Sequence, residues 1–168
     1  VPYIPVPEPM DLGAAEGKKV GLVWAGNPDH ARDISRSRHL SEFAPLAPIA
    51  AARGVTLYAL QFGEGAKQSP PDGLTPIDLT PRIVDFLDTA RALAALDLLI
   101  TVDTSIAHLA GALGLPVWII IDQTPDWRWQ LERKDTPWYP TARLFRSDGN
   151  YPALFRHLAE SLEQFAAG

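Results

Sequence analysis

Asp103, Thr104, Ser105 and His108 stand together at the head of the helical half of LLITVDTSIAHLAGALGLPVWIII, which runs from Leu98 to Ile121. Asp, Thr and Ser are the small oxygen-bearing residues that begin helices, and here they follow directly on a continuous apolar run. A helix starting at the carboxyl end of a buried strand aims unpaired backbone N–H groups and its positive dipole end outward. The chemistry predicted is therefore anion binding, a phosphate above all. Helix side chains lean toward the N-terminus, so His108 in the first turn can set its ring beside such an anion, and Thr104 and Ser105 add hydroxyl donors. The same residues admit a plainer reading, in which Asp103 and Thr104 only cap and His108 is a core or solvated histidine.

The elements that must position these groups are readable from periodicity. Leu98–Val102 and Val117–Ile121 are continuous apolar runs of the kind found in strands covered on both faces. Between them Ile106, Leu109, Ala110 and Leu113 share one helical face, Gly114 suits a left-handed helix end, and Pro116 blocks continuation. Upstream, residues 19–25 predict a first strand, followed by the polar, Arg- and His-rich loop GNPDHARDISRSRHL, in a position where loops touch ligands. Ser41 can cap a helix running to Arg53, with Pro45 and Pro48 working against it; residues 55–61 and 74–79 predict two further strands. The spacing of Ile83, Phe86 or Leu87, Ala90, Leu93 and Ala94 predicts a helix over 83–96. Beyond Ile121 lies an aromatic, proline-rich loop holding Trp127, Trp129, Trp138 and Tyr139. A sixth strand follows at 143–146 and a terminal helix at 151–166, its apolar face formed by Leu154, Leu158, Leu162 and Phe165. Strands alternating with helices in this way predict an α/β fold, a Rossmann-like doubly wound parallel sheet of about six strands.

Composition bounds the function. With 168 residues and 46% hydrophobic content the chain can bury one α/β core, and residues 18–168 are read as that domain. Pro2, Pro5, Pro7 and Pro9 preclude a regular helix or central strand at the start, so residues 1–17 are read as a linker from a preceding domain. A formal net charge of −5 argues against a general polyanion binder and hence against nucleic acid. The absence of cysteine removes disulfides, thiolate catalysis and Cys-based zinc sites, and is compatible with a cytoplasmic location. No apolar run reaches the roughly 20 residues that span a bilayer. The four histidines and scattered carboxylates lack ligand spacing, so no metal is expected. Neither G-x-G-x-x-G nor G-x-x-x-x-G-K-[ST] nor G-x-S-x-G follows the first strand, which sets aside dehydrogenase, P-loop NTPase and serine hydrolase readings.

Three separated motifs, VGLVWAGNP near the start, DTSIAHLAGALGLPVW in the middle and PDWRW with PWYPTARLFR near the end, resemble the C-terminal donor-binding half of bacterial GT-B glycosyltransferases. The resemblance is to glycosyltransferase family 9, heptosyltransferase-like domains of the kind that follow tetratricopeptide repeats, and it covers roughly 20–165. It implies that Asp103, Thr104, Ser105 and His108 bind the diphosphate of a nucleotide-diphosphate sugar, with Asn27, His30 and Arg36 contributing from the first loop. Arg36 is favoured, because a guanidinium meets two phosphate oxygens in a fork and stays charged. Gln61, Thr80 and Asp126 are candidates for base or donor-sugar contacts. Asp85 and Asp88 read either as ribose partners or as carboxylates that complement a helix start.

The resemblance further implies an inverting transfer that needs no cofactor or divalent metal. Its general base would belong to an N-terminal acceptor domain outside this chain, with tetratricopeptide repeats as possible further partners. Relatives often carry Gln-Lys-Gly after the second strand where this chain has Gln61, Phe62 and Gly63, which loses a cation that Lys67 could replace. Two other readings therefore stay open: a non-catalytic or degenerate GT-B-like binding module, and half of a nucleotide-sugar epimerase.

Overall fold

Apolar runs that are continuous in sequence become strands buried on both faces. The computed structural model describes residues 2–168; Val1, at the head of the proline-rich segment, lies outside the described residues. The strands are β1 (Lys19–Val23), β2 (Thr56–Ala59), β3 (Ile77–Asp78), β4 (Leu98–Val102), β5 (Val117–Ile121) and β6 (Ala142–Arg146). The helices are α1 (Asp33–Arg36), α2 (Leu46–Arg53), α3 (Phe86–Ala94), α4 (Ser105–Leu113) and α5 (Tyr151–Ala167). The strands pair in parallel in the order β3-β2-β1-β4-β5-β6, so the six-stranded, Rossmann-like doubly wound sheet expected from the sequence is what forms.

Alternation along each strand divides the core in two. Val20, Leu22, Ile100, Trp118, Ile120 and Phe145 face a layer holding α2 and α5, where Phe43 meets Phe155 edge to face at 4.8 Å. Leu99, Val117, Ile119 and Leu144 face the other layer, with α3, α4, Trp129 and Tyr139. Gly21 belongs to this second face, because a Cβ there would lie 2.6 Å from a Leu96 methyl. Residues 2–12 form neither helix nor strand yet lie against this layer: the Tyr3 and Ile4 N–H groups donate to the Ala112 carbonyl at 3.0 and 3.2 Å, and Met10 N–H donates to Arg91 at 2.9 Å.

Where structure and expectation differ, local chemistry explains it. The helix expected from Ser41 is split: His39, not Ser41, caps a 3₁₀ turn at Leu40–Phe43 in a capping box with Glu42, and α2 begins only after Pro45. Proline lacks the N–H that an uninterrupted helix needs there. The third strand shrinks to Ile77–Asp78, at the sheet edge and exposed. Helix α3 starts at Phe86 because Asp85 caps it, accepting from Asp88 N–H at 2.9 Å; Phe86 and Leu87, expected on the apolar face, are exposed, while Thr89, Ala90, Ala92 and Leu93 are buried.

Among the glycines, Gly111 in α4 is where an added Cβ would come closest to another side chain. A Cβ there would lie 2.3 Å from Cγ of the Tyr139 ring, a rigid group that cannot give by rotamer change. Gly111→Ala is expected to destabilise the protein by roughly 1–3 kcal/mol, the usual range for overpacking, as read from the urea unfolding midpoint.

Candidate functional site

The strand order reverses direction between β1 and β4, and a doubly wound sheet opens a crevice at such a switch point, beyond the carboxyl ends of the strands. Helix α4 begins there. Its N-cap, Thr104, has extended backbone (φ −138°, ψ 171°) but makes no side-chain cap bond. The Thr104 hydroxyl turns instead toward that of Thr101, 3.4 Å away near the carboxyl end of β4. The opening N–H groups of α4 are thus left without a side-chain cap, where most helices of this sequence type would fill them. Thr104, Ser105 and Ile106 line a cleft of about 460 Å³, faced across the crevice by Gly26, Asn27 and Phe62.

Arg36 spans the crevice. Its Nη1 donates to the Asp103 carbonyl at 3.1 Å and its Nε to Asp33 Oδ1 at 3.3 Å, leaving the guanidinium mostly buried between the β1 and β4 loops. It lines both the 460 Å³ cleft and a neighbouring one of about 190 Å³, which also holds Arg32, Asp103, His108, Asp126 and Arg128. The predicted diphosphate residues Asp103, Thr104, Ser105, His108, Asn27 and Arg36 therefore converge on adjoining clefts, and His30 lines the smaller one. Asn27 Oδ1 also closes its own turn by accepting from Asp29 N–H at 3.0 Å.

His108 is held on several sides. Nε2 lies 3.5 Å from Asp103 Oδ1, Nδ1 lies 3.0 Å from the Tyr139 hydroxyl, and the ring stacks on Trp129 at 5.1 Å with an interplanar angle of 21°. Burial, then the hydroxyl and charge of Tyr3, hold the Tyr139 phenol well above its usual range, so it stays protonated. Trp129 is fully buried, its indole nitrogen is without a hydrogen-bond partner, and its carbonyl accepts from Arg146.

The remaining candidates separate. Gln61 is 3% exposed and wholly engaged with backbone: Oε1 accepts from Trp24 and Ala25 N–H at 2.9 and 2.8 Å, and Nε2 donates to the Ala25 and Phe62 carbonyls at 2.9 and 2.8 Å. It ties the loop after β1 to the loop after β2. Thr80 bonds Asp78 through N–H and hydroxyl and lines neither cleft. Asp126 does reach the smaller cleft, where it caps the turn Trp127–Trp129 and pairs with Arg128 at 2.8 Å. Lys67 pairs with Glu64 at 2.6 Å on the surface and lines neither cleft. Phe62, 43% exposed, stands between the larger cleft and an apolar one of about 270 Å³ formed with Ile83, Val84 and Phe86.

Three participants escaped sequence reasoning. Asp122 and Arg128 line the smaller cleft, and one Asp122 carboxylate oxygen is buried without a partner; Tyr139 touches His108 from 31 residues away. Among the described residues no group of three or more His, Asp or Glu side chains could hold a metal, and no helix is long and apolar enough to cross a membrane.

No family model matches the chain. It is 31% identical over 165 residues to Protein FlbA of Caulobacter vibrioides, covering 90% of this chain and 26% of that protein. Among solved structures, the family 9 glycosyl transferase of Veillonella parvula matches at a TM-score of 0.61 and 14% identity, over 91% of this chain and 47% of that one. The ADP-heptose lps heptosyltransferase II of E. coli matches at 0.58 and 15%, over 92% and 49%. The dodecameric iron-containing heptosyltransferase TibC, solved with ADP-D-beta-D-heptose, matches at 0.51 and 13%, over 95% and 47%. The fold is thus a GT-B-like glycosyltransferase fold, and the chain spans about a quarter of FlbA and about half of each solved enzyme.

Gln61→Leu keeps the volume and strands two backbone donors and two acceptors. A loss of about 2 kcal/mol or more is expected in denaturant unfolding, since each buried unpaired group costs about 1–3 kcal/mol. Asp126 gives a pH signature. Burial raises its carboxyl, but the Arg128 N–H, the Arg128 guanidinium and the charges of Arg128 and Arg32 outweigh this and hold it below the usual range. A depressed carboxyl stabilises the fold above its unfolded value and loses that contribution as pH falls through its folded value. The stability difference between wild type and Asp126→Asn is therefore expected in full at pH 6, should begin to shrink only below about pH 4, the unfolded carboxyl value, and should vanish only below the still lower folded value, as followed by urea titrations from pH 6 downward.

Proposed function

We propose that this domain binds a nucleotide-diphosphate sugar and serves as the donor half of an inverting glycosyltransferase. The observation that carries this reading is the uncapped start of α4 at the β1/β4 switch point, with the Arg36 guanidinium bridging to the Asp103 carbonyl beside it. In this reading the diphosphate lies at the α4 N–H groups beside Arg36, where the larger cleft adjoins the smaller one that His108 lines, with the sugar in the smaller cleft near Asp126 and Arg128 and the nucleoside toward Phe62, Ile83 and Phe86. The family 9 likeness of the fold supports the assignment.

The chemistry then follows from charge. As the bond from the anomeric carbon to the diphosphate oxygen breaks, negative charge grows on the leaving group, and fixed N–H dipoles, Arg36 and His108 oppose it without any need for a divalent ion. The acceptor hydroxyl must lose its proton to a base, which this reading assigns to an N-terminal acceptor domain of the parent polypeptide, with tetratricopeptide repeats as a further partner and the cytoplasm as the place of action. A second reading, a binding module that has lost catalysis, draws on Phe62 standing exposed where relatives often carry a cation.

Calorimetric titration with UDP, GDP, ADP and CMP distinguishes them. One nucleotide is expected to bind saturably, with His108→Ala and Arg36→Ala each weakening it by roughly ten-fold or more, the loss of a charge-assisted contact. Absence of binding by all four would count for the non-catalytic module.

A further inference from the structure

We infer that Tyr139 is a positioning residue that donates its hydroxyl hydrogen bond to Nδ1 of His108 and so fixes the imidazole as the tautomer with its proton on Nε2, facing the clefts. Its consequence for ligand binding rests on the diphosphate reading above; the tautomer does not.

The assignment follows from which atoms can donate. A neutral imidazole carries one proton. Nε2 lies 3.5 Å from Asp103 Oδ1, and an ionised carboxylate only accepts, so a lone pair on Nε2 would face it unfavourably while an N–H is attracted. With the proton on Nε2, Nδ1 is an acceptor, and the hydroxyl 3.0 Å away must donate. The Tyr3 hydroxyl, at 3.5 Å, faces the Tyr139 oxygen as a long donor, which leaves the Tyr139 proton for Nδ1. Burial keeps that proton on the phenol at neutral pH.

The packing fixes the geometry of this pair. Tyr139 is 7% exposed, its ring rests on the bare Cα of Gly111, and the stack of His108 on Trp129 restrains the imidazole from turning out of plane. The His108 ring can therefore offer Nε2–H to an oxygen in the cleft that His108 and Asp103 both line. A hydrogen-bond donor that keeps its orientation before the anion arrives needs no reorganisation when charge develops. Sequence alone gives Tyr139 no role beyond that of an aromatic in a proline-rich loop, because its partner is in another element.

Histidine-selective ¹⁵N spectra of the whole chain above pH 8, with the His108 signals assigned by His108→Ala, test the tautomer directly. The expected result is an unprotonated, hydrogen-bonded Nδ1 and a protonated Nε2, with the Nδ1 resonance moving to the unbonded position in Tyr139→Phe. A protonated Nδ1 in the wild type, or an Nδ1 resonance that Tyr139→Phe leaves unmoved, overturns the inference. Should Tyr139→Phe fail to fold, the wild-type Nδ1 resonance still decides. Titration with inorganic pyrophosphate tests the consequence: Tyr139→Phe is expected to bind roughly five- to ten-fold more weakly, the worth of one hydrogen bond. Equal affinities would remove Tyr139 from the binding role, and a wild type that does not bind pyrophosphate would count against the diphosphate reading while leaving the tautomer to the spectra.

Discussion

A parallel sheet can change winding direction only where two neighbouring strands send their connections to opposite faces, and in this chain that place is the seam between β1 and β4. No connection crosses the strand ends there. Everything of chemical interest gathers at that seam: the start of α4, the Arg36 loop and the Asp103 carbonyl that accepts from it. The contact between Arg36 and Asp103 is long-range in sequence and short in space, and it makes one wall of the crevice recognise the other. A charged group held this way, mostly removed from water, acts on a nearby anion more strongly than an arginine waving in solvent.

The two layers divide the labour. The α2 and α5 side is apolar, with the aromatic contact of Phe43 and Phe155, and it reaches the crevice only through Trp24 and Ala25 at the end of β1. The α3 and α4 side holds His108, Trp129 and Tyr139, so the same aromatic packing that stabilises this layer also orients the imidazole. Stability and site geometry are therefore most closely joined on the α3 and α4 face of the sheet.

How much of this was legible in the sequence depended on range. The five-residue apolar strands, the Gly114 helix end and the cluster from Asp103 to His108 are local patterns, and local patterns survived folding. Helix α3 shows the limit of periodicity: Phe86 and Leu87 have the right spacing for a buried face but sit in the first turn after the Asp85 cap, beyond the edge of the layer. Gln61 was legible as a polar residue at a strand end and illegible as a tie, since its four partners are backbone atoms of two loops. Tyr139 and Asp122 enter the site from beyond β5, and nothing in their neighbours announces the helix or cleft that they meet. The proline-rich start was readable as lacking regular structure, but its hydrogen bonds to Ala112 and Arg91 could not be read from composition.

The Gln61 tie bears on thermodynamics as well as shape. Because its amide clamps the Trp24, Ala25 and Phe62 backbones, that wall of the crevice is ordered by the chain's own bonds, and on the donor-site reading a ligand would meet it already formed. Little conformational entropy remains to be lost there on association. Discrimination among ligands at this wall is thus a matter of fit and desolvation, felt in how long a complex lasts, and not of a loop that folds around whatever comes.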